Sequence, residues 1–160
     1  MTNSTTTQTS FVIERDFSVA PSKVFQAWAD PAAKRSWSDC HVEHTTEYSL
    51  DFRPLGRETH RVMDPERGEQ VIEKVFFDIV DSQRIVFAYD ISVKGRRLSV
   101  SLVTVEFIPT STGTRMSYVE QLTYLDGHED SAARLLGTQG GFDRLALHLQ
   151  ELVSAVATAR

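Results

Sequence analysis

The chain has 160 residues, 41% of them hydrophobic, which is enough apolar material for the core of one domain. Its formal net charge of -5 argues against a dedicated nucleic-acid binder, because such a protein needs a basic face to neutralise phosphates. The single cysteine, Cys40, excludes an internal disulfide framework, and no apolar run approaches the ~18 residues of a membrane span, so we expect a cytoplasmic protein.

The first ten residues are polar and carry neither the basic nor the apolar segment of a signal peptide. We therefore expect residues 1–10 to form a disordered tail. No linker composition or internal repeat interrupts the remainder, which predicts a single domain over residues 11–158.

One strand and two short helices open this domain. Apolar residues at every second position over 11–19 predict a strand with one buried face. Pro21 suits the first turn of a helix over 22–29, and Asp30 can cap a second helix over 32–37.

Six further stretches have the residue pattern of strands. They lie at residues 48–52, 57–63, 69–80, 84–93, 97–108 and 114–125. Short turns rich in Pro, Gly, Asp and Ser separate them, so consecutive strands are expected to pair antiparallel as a meander.

The last apolar pattern, over residues 131–157, predicts a long helix that covers the sheet. Three glycines inside it each cost roughly 1 kcal/mol relative to alanine. Either the helix starts only near Gln139, or the glycines let a ligand or a packed element approach its backbone. Asp130 and Ser131 are candidate N-caps. The apolar face of the helix contains Leu135, Phe142, Leu145, Leu149, Leu152, Val153 and Val156.

The expected fold class is therefore α+β. We predict a curved antiparallel sheet of about seven strands, with two short helices, wrapped around one long C-terminal helix, and a cavity between sheet and helix.

Several short motifs occur along the chain in the order found in a known family. They are Arg15-Asp16-Phe17 with Ala20-Pro21, Val24-Phe25 with Ala27 and Asp30-Pro31, Trp37, Asp51-Phe52-Arg53-Pro54-Leu55-Gly56, Asp78-Ile79-Val80 with Arg84-Ile85-Val86-Phe87, Gly113-Thr114, and Asp143-Arg144-Leu145-Ala146 with His148-Leu149. On these motifs the chain resembles the START-like (SRPBCC, helix-grip) proteins, in the AHSA-type branch related to the activator of the ninety-kilodalton heat-shock ATPase. The family often has Gly-Trp at the start of the last helix, where this chain has Gly137 and Thr138. The resemblance covers residues 11–149 and implies the helix-grip fold, which hosts binding proteins, enzymes and co-chaperone modules alike.

Polar residues with the parity of inward-facing apolar residues are the strongest candidates for function. Glu58, His60, Glu73, Ser101 and Glu120 share that parity. A buried carboxylate needs a partner or water. Either these residues line a pocket as a carboxylate–histidine group, or a β-bulge turns part of a strand and leaves them at the rim.

The predicted site follows from these positions and from apolar residues on the same faces, where alternation places Val75, Phe77 and Ile79 inward. The expected ligand-binding residues are Trp37, His60, Glu73, Phe77, Tyr89, Tyr118, Glu120, Thr138 and Phe142. His60 with Glu58 or Glu120 is the candidate acid–base pair.

No metal or cofactor is expected. The spacing of Cys40, His41 and His44 matches no zinc site, because a fourth ligand and a second pair are missing. The chain also lacks a Gly-rich phosphate loop, a G-x-S-x-G motif and a C-x-x-C motif.

Three functional hypotheses follow. The first is a non-enzymatic binder of a small hydrophobic or amphipathic molecule. The second is a cyclase-like or hydrolase-like enzyme that uses the acid–base pair, and the third is a co-chaperone-type module that stimulates a heat-shock ATPase. Nucleic acid and a membrane span are not expected, whereas an open sheet edge permits a homodimer.

Overall fold

Alternating apolar residues build one curved antiparallel sheet, and the helices pack against its inner face. A computed structural model describes residues 4–159, and within them it has seven strands and three helices. The elements are β1 (Thr6–Phe17), α1 (Pro21–Ala29), α2 (Pro31–Ser38), β2 (Thr45–Leu50), β3 (Arg57–Asp64), β4 (Gly68–Val80), β5 (Arg84–Val93), β6 (Arg96–Thr110), β7 (Gly113–Leu125) and α3 (Ser131–Thr158). The sheet order is β1-β7-β6-β5-β4-β3-β2, and the predicted α+β helix-grip fold is confirmed.

The first strand begins earlier than its side chains indicate. β1 pairs with β7 from Thr6, opposite Leu125, to Phe17, opposite Thr114. The expectation of a disordered tail is therefore wrong for residues 6–10, and its first three residues lie outside the described part of the chain. The side chains of residues 6–10 are all exposed. No apolar alternation marks them, because backbone pairing with β7 alone defines this end of the strand.

The two short helices form where proline and aspartate predict them. Pro21 is the first residue of α1, and the Asp30 side chain accepts a hydrogen bond from the Ala33 N–H at 2.8 Å at the start of α2. The buried face of α1 carries Val24, Phe25, Ala27 and Trp28, which plug one end of the curved sheet.

Helix α3 is continuous from Ser131, so the alternative start near Gln139 is wrong. Its first N–H is satisfied by Glu129 Oε1 at 2.7 Å, while the side chain of the N-cap residue Asp130 makes no cap hydrogen bond. The helix packs against α2, α1 and β1. Among the described residues, no helix is both long and apolar enough to cross a membrane.

Only the middle of α3 is buried in the core. Its buried apolar side chains are those of Phe142, Leu145 and Leu149. The expected burial of the last apolar residues is wrong, because every residue from 150 to 158 is exposed. Val156, for example, is 61% exposed. The helix thus extends about two turns beyond the core that it covers.

Strand β4 contains a β-bulge. Phe76 pairs with Phe87 and Asp78 pairs with Val86, so the ladder skips Phe77. Phe76 is 2% exposed and packs in the core, whereas Phe77 is 53% exposed.

The bulge explains the errors in the predicted inward face. Alternation read back from Ile79, which does pack against the core, placed Val75, Phe77 and Glu73 inward. Because a bulge inserts one residue, the parity changes on its N-terminal side, and the even-numbered residues of β4 face inward there.

We expect Leu145→Ala to lower the free energy of unfolding by about 2–5 kcal/mol, because this fully buried side chain would leave a cavity. Leu147→Ala makes the same change two residues further along α3, where Leu147 is 58% exposed, and should cost less than about 0.5 kcal/mol. Urea unfolding followed by circular dichroism measures both. Equal losses would contradict the packing of α3.

Candidate functional site

A cavity of about 270 Å³ lies between α3, α2 and strands β3 to β5. Helix α3 leans towards β1 and the short helices, which leaves this side of the sheet uncovered. The aromatic part of the wall consists of Trp28, Trp37, Tyr89, Tyr118 and Phe142, and the aliphatic part of Val62, Ile72 and Ile91. Four basic side chains complete much of the lining, namely those of Lys34, Lys74, Arg134 and Arg144.

A larger depression of about 660 Å³ lies on the other face of the sheet, over β1, β5, β6 and β7. It is lined by side chains such as Gln8, Val100 and Thr123, and none of its lining residues is titratable. Of these two spaces, the inner cavity is the one at which titratable side chains converge beside aromatic ones, which makes it the candidate site.

The aromatic side chains of the wall pack on one another. The ring centroids of Trp28 and Trp37 are 4.9 Å apart, and those of Tyr118 and Phe142 are 5.2 Å apart. Trp37 Nε1–H donates to the Ala27 carbonyl at 2.9 Å. The Trp28 Nε1–H is buried and has no acceptor within residues 4–159. Buried N–H groups without an acceptor are rare, so the Trp28 N–H is an unusual feature of this part of the protein.

A buried ion pair joins α2 to β3 at the cavity wall. Lys34 Nζ lies 2.9 Å from both carboxylate oxygens of Glu58, and Tyr48 OH donates to Glu58 Oε2 at 2.7 Å. The side chains of Lys34 and Glu58 are each 3% exposed. Lys34 Nζ also lies 5.4 Å and 5.3 Å from the ring centroids of Trp28 and Trp37, within cation–π distance.

Both partners of this pair remain charged at neutral pH. Burial lowers the pKa of Lys34, against the attraction of Glu58, and the result is about 8. Burial alone would raise the pKa of Glu58, but the attraction of Lys34 and Lys74 outweighs it and lowers that pKa to about 2.

Lys74 approaches the same carboxylate from β4. It lies directly opposite Glu58 in the β3–β4 ladder, with its Nζ 3.5 Å from Glu58 Oε1. The Lys74 side chain is 20% exposed, and its Nζ lies 5.3 Å and 5.7 Å from the rings of Phe87 and Tyr89. Lys74 therefore shares an anion that already holds Lys34.

A second carboxylate, Glu120, is completely buried behind the other end of the cavity. It accepts hydrogen bonds from Tyr89 OH at 2.6 Å, Tyr118 OH at 2.7 Å and Ser101 Oγ at 2.9 Å. Burial raises the pKa of both tyrosines, and the charge of Glu120 adds to this effect. The two phenols therefore keep their protons and stabilise the anion.

Arg134 extends this network from α3. Its Nε lies 3.1 Å from Asp130 Oδ1, its Nη2 donates to Ser99 Oγ at 2.8 Å, and its Nη1 lies 3.6 Å from Glu120 Oε2. Asp130 is thus engaged in binding a side chain rather than in capping its helix.

Arg144 and Gly137 form the α3 side of the cavity. Arg144 Nε donates to the Trp37 carbonyl at 2.8 Å, and within residues 4–159 its guanidinium makes no ion pair. A Cβ added at Gly137 would meet no atom within 4 Å, so the helix presents open space there. Gly140 and Gly141 would make only ordinary contacts, at 3.7 Å from the Arg144 terminal nitrogens.

His60 lines the cavity on the β3 side, backed by the buried Asp39. His60 Nε2 lies 3.1 Å from Thr45 Oγ1 and 3.4 Å from Asp39 Oδ1, and Thr45 Oγ1 donates to both oxygens of Asp39. Burial lowers the pKa of His60 in spite of the attraction of Asp39. A neutral ring that donates from Nε2 leaves Nδ1 as an acceptor, which is an arrangement that can take a proton from a ligand.

The structure brings together six of the predicted ligand-binding residues, which all line the cavity. They are Trp37, His60, Tyr89, Tyr118, Thr138 and Phe142. Glu120 lies directly behind the wall and orients two of them.

Two predicted residues are misplaced. Glu73 pairs with Thr59 across the ladder and accepts its hydroxyl hydrogen bond at 2.9 Å, on the face away from the cavity. Phe77 is the bulged residue and is exposed. Both errors have the same cause, the change of parity at the bulge.

His60 also has a different carboxylate partner from the two that were predicted. His60 makes no hydrogen bond to Glu58 or Glu120, whose oxygens are occupied by lysine, tyrosine and serine groups. Its carboxylate is Asp39, from the segment between α2 and β2.

Cys40 and His41 also line the cavity. Across residues 4–159, however, no group of three or more His, Cys, Asp or Glu side chains is placed to hold a metal ion.

Comparison with known proteins identifies the family. The model of the family described as "Activator of Hsp90 ATPase homolog 1-like protein" matches residues 18–154. The chain belongs to this family. The AHSA-type resemblance inferred from the motifs is thus confirmed.

Solved structures agree with this assignment. An uncharacterized protein from Rhizobium leguminosarum is 40% identical, covers 94% of this chain and 99% of its own, and superposes with a TM-score of 0.89. A protein from Rhizobium loti is 37% identical over 90% of this chain and 99% of its own, with a TM-score of 0.85. A Staphylococcus aureus protein of unknown function, 17% identical over 93% of this chain and 98% of its own, has a TM-score of 0.75 and shares the fold. No curated protein matches the chain.

In this AHSA1-family protein, sequence reasoning missed the basic half of the site. Lys34 lies one helical turn before Trp37, which is the spacing that places both on one face of α2. An inward-facing Glu58 needs a partner for its charge. The lysine on the buried face of the neighbouring helix α2 could have been recognised as that partner from the sequence. No sequence pattern pointed to Lys74, because the β-bulge in β4 changes which residues of that strand face inward.

In the AHSA1-family protein we expect Glu58→Gln to lower the free energy of unfolding by about 3–5 kcal/mol, because it leaves the Lys34 ammonium buried without a counterion. The matched control is Glu47→Gln in β2, which breaks the exposed pair with Arg61 and should cost at most about 1 kcal/mol.

The same experiment has a pH arm. The folded-state pKa of Glu58 is depressed, so its stabilisation is complete above its unfolded pKa and is lost as the pH falls towards about 2. The wild-type urea midpoint should therefore fall more steeply below pH ~4 than that of Glu58→Gln. If the urea midpoints of the two proteins fell with the same slope at acid pH, the ion pair between Lys34 and Glu58 would be contradicted.

Proposed function

We propose that this protein binds a small amphipathic molecule in the cavity between α3 and strands β3 to β5. The observation that carries the proposal is the cavity itself, about 270 Å³ of space walled by five aromatic and three aliphatic side chains beside the packed core. An apolar pocket with a few convergent polar groups is the usual form of a small-molecule site.

The size of the cavity limits the ligand. It is slightly below the ~300–1,000 Å³ range of pockets for drug-sized molecules, which suits one or two rings or a short acyl chain. The imidazole of His60 and the hydroxyl of Thr138, which both line the cavity, offer polar contacts to such a ligand.

We favour binding over catalysis, because most polar groups of the wall already have protein partners. The carboxylates Glu58 and Glu120 are consumed by internal hydrogen bonds, and the Thr45 hydroxyl beside His60 is itself engaged with both oxygens of Asp39.

Thr138→Phe should weaken ligand binding by at least about tenfold, because its ring would occupy the cavity from α3. The probe is N-phenylnaphthylamine, a neutral dye whose fluorescence rises in apolar surroundings, titrated into wild type and variant. Leu147→Phe is the matched control, since it adds a ring to an exposed position of the same helix and should leave the dye affinity unchanged.

Circular dichroism must show that both variants are folded. Failure of wild type to bind the dye, combined with no thermal stabilisation by short acyl or aromatic compounds, would overturn the proposal. Equal affinities of wild type and Thr138→Phe would place the dye elsewhere on the surface.

A second candidate function comes from the family description, which names an activator of the Hsp90 ATPase. The outer face of the sheet supports it, because Val100 and Leu102, two positions apart on β6, are each 43% exposed. Contiguous exposed apolar side chains are typical of surfaces that contact another protein.

If this second function operates, the purified chain should raise the ATP hydrolysis rate of Hsp90 from the same organism. The double variant Val100→Ser, Leu102→Ser should lose that effect and keep dye binding. No change in hydrolysis with wild type at saturating concentration would rule it out.

A further inference from the structure

From the charges of the cavity wall we infer that the ligand is an organic monoanion, best a carboxylate on an aromatic or short acyl body, held by Lys74 and Arg144. This inference rests on the proposed binding function and adds the chemical class of the ligand. Four lining side chains are lysine or arginine, and none of the lining residues is Asp or Glu.

Two of the four cations are saturated by the protein. Lys34 contacts both oxygens of Glu58 at 2.9 Å with 3% exposure. Arg134, with 5% of its side chain exposed, is held by Asp130 and by Ser99. These two side chains have little capacity left for a ligand.

The other two cations are not saturated. The one carboxylate near Lys74 within residues 4–159 is Glu58 at 3.5 Å, which already accepts closer contacts from Lys34 and Tyr48. Lys74 makes no side-chain hydrogen bond in the described part of the chain, although it is only 20% exposed. Burying an ammonium with unused donors is unfavourable unless an anion reaches it.

Arg144 has the same unused capacity on the opposite wall. Its Nε is fixed by the Trp37 carbonyl at 2.8 Å, which orients the guanidinium, and its Nη1 and Nη2 have no carboxylate partner within residues 4–159. The adjacent glycines of α3 keep this wall free of side chains, with a Cβ position at Gly137 that faces open space. A preorientated guanidinium with two free nitrogens matches the two oxygens of a carboxylate.

The charge balance points in the same direction. Four lining cations face three carboxylates that contact them, Glu58, Asp130 and Glu120, which leaves one positive charge. His60 adds none at neutral pH, since burial lowers its pKa, and Asp39 is balanced by Arg35 at 3.7 Å. The whole chain, in contrast, has a formal net charge of -5. A local positive excess inside an acidic protein selects for one negative charge in the ligand.

The test uses three ligands with one ring system and different charges: naphthoate, naphthamide and naphthylmethylamine, each titrated into the full chain by isothermal calorimetry. Naphthoate should bind at least about tenfold more tightly than naphthamide, and naphthylmethylamine should bind most weakly. Raising the salt concentration should weaken naphthoate binding more than naphthamide binding, because salt screens the contact between charges.

The variants Lys74→Met and Arg144→Gln should each reduce the preference for naphthoate over naphthamide by about tenfold. Lys94→Met, at an exposed hairpin position, removes the same charge outside the cavity and should change neither ligand. If one cavity variant does not fold, the ligand series on wild type and the other variant still decide.

The outcomes separate the two proposals. Equal binding of naphthoate and naphthamide overturns the anion assignment and leaves the binding function standing. Preference for naphthoate that Lys94→Met abolishes as strongly as Lys74→Met overturns the assignment of the residues. Binding of neither these ligands nor the neutral dye removes both.

Discussion

The cavity depends on one interaction, the buried pair between Lys34 and Glu58. It joins α2 to β3, and α2 also carries Trp37, so the pair and the aromatic wall are fixed by one short helix. Two charges in an apolar interior are costly unless every remaining donor and acceptor is satisfied. Glu58 therefore also binds Tyr48 and Lys74, and the β2 to β4 side of the cavity is positioned by this one carboxylate.

A second buried carboxylate repeats this principle at the other end. Glu120 collects Tyr89, Ser101 and Tyr118, and so converts phenol groups of two strands into fixed parts of the wall. The two anions lie behind the surface and the cations lie in it. The cavity is thus lined by aromatic rings and positive charge although the protein as a whole is acidic.

Most of the fold follows from local sequence signals. Strand alternation, Pro21 and the Asp30-Pro31 pair predict elements whose ends agree with the structure within a few residues. The exceptions are segments in which the side-chain pattern does not predict the backbone structure or its burial. The start of β1 is held by pairing alone, and the last turns of α3 are amphipathic but lie outside the core.

The site was predicted less well, for physical reasons that can be named. One extra residue at Phe77 exchanges the faces of β4, which removes Glu73 from the cavity and brings Lys74 into it. No local sequence pattern predicts that β-bulge. Asp39 lies in a segment without periodicity, so its contact with His60 could be known only from the tertiary structure.

Gly137 has a consequence for how such proteins diverge. Replacing Gly137 with alanine would remove the cost of a glycine in a helix interior, roughly 1 kcal/mol. The added Cβ would meet no described atom within 4 Å. Larger side chains at the same position would reshape the chamber from the helix side while the packed centre of the domain stays intact. The shape of the cavity can therefore change at this one backbone position independently of folding.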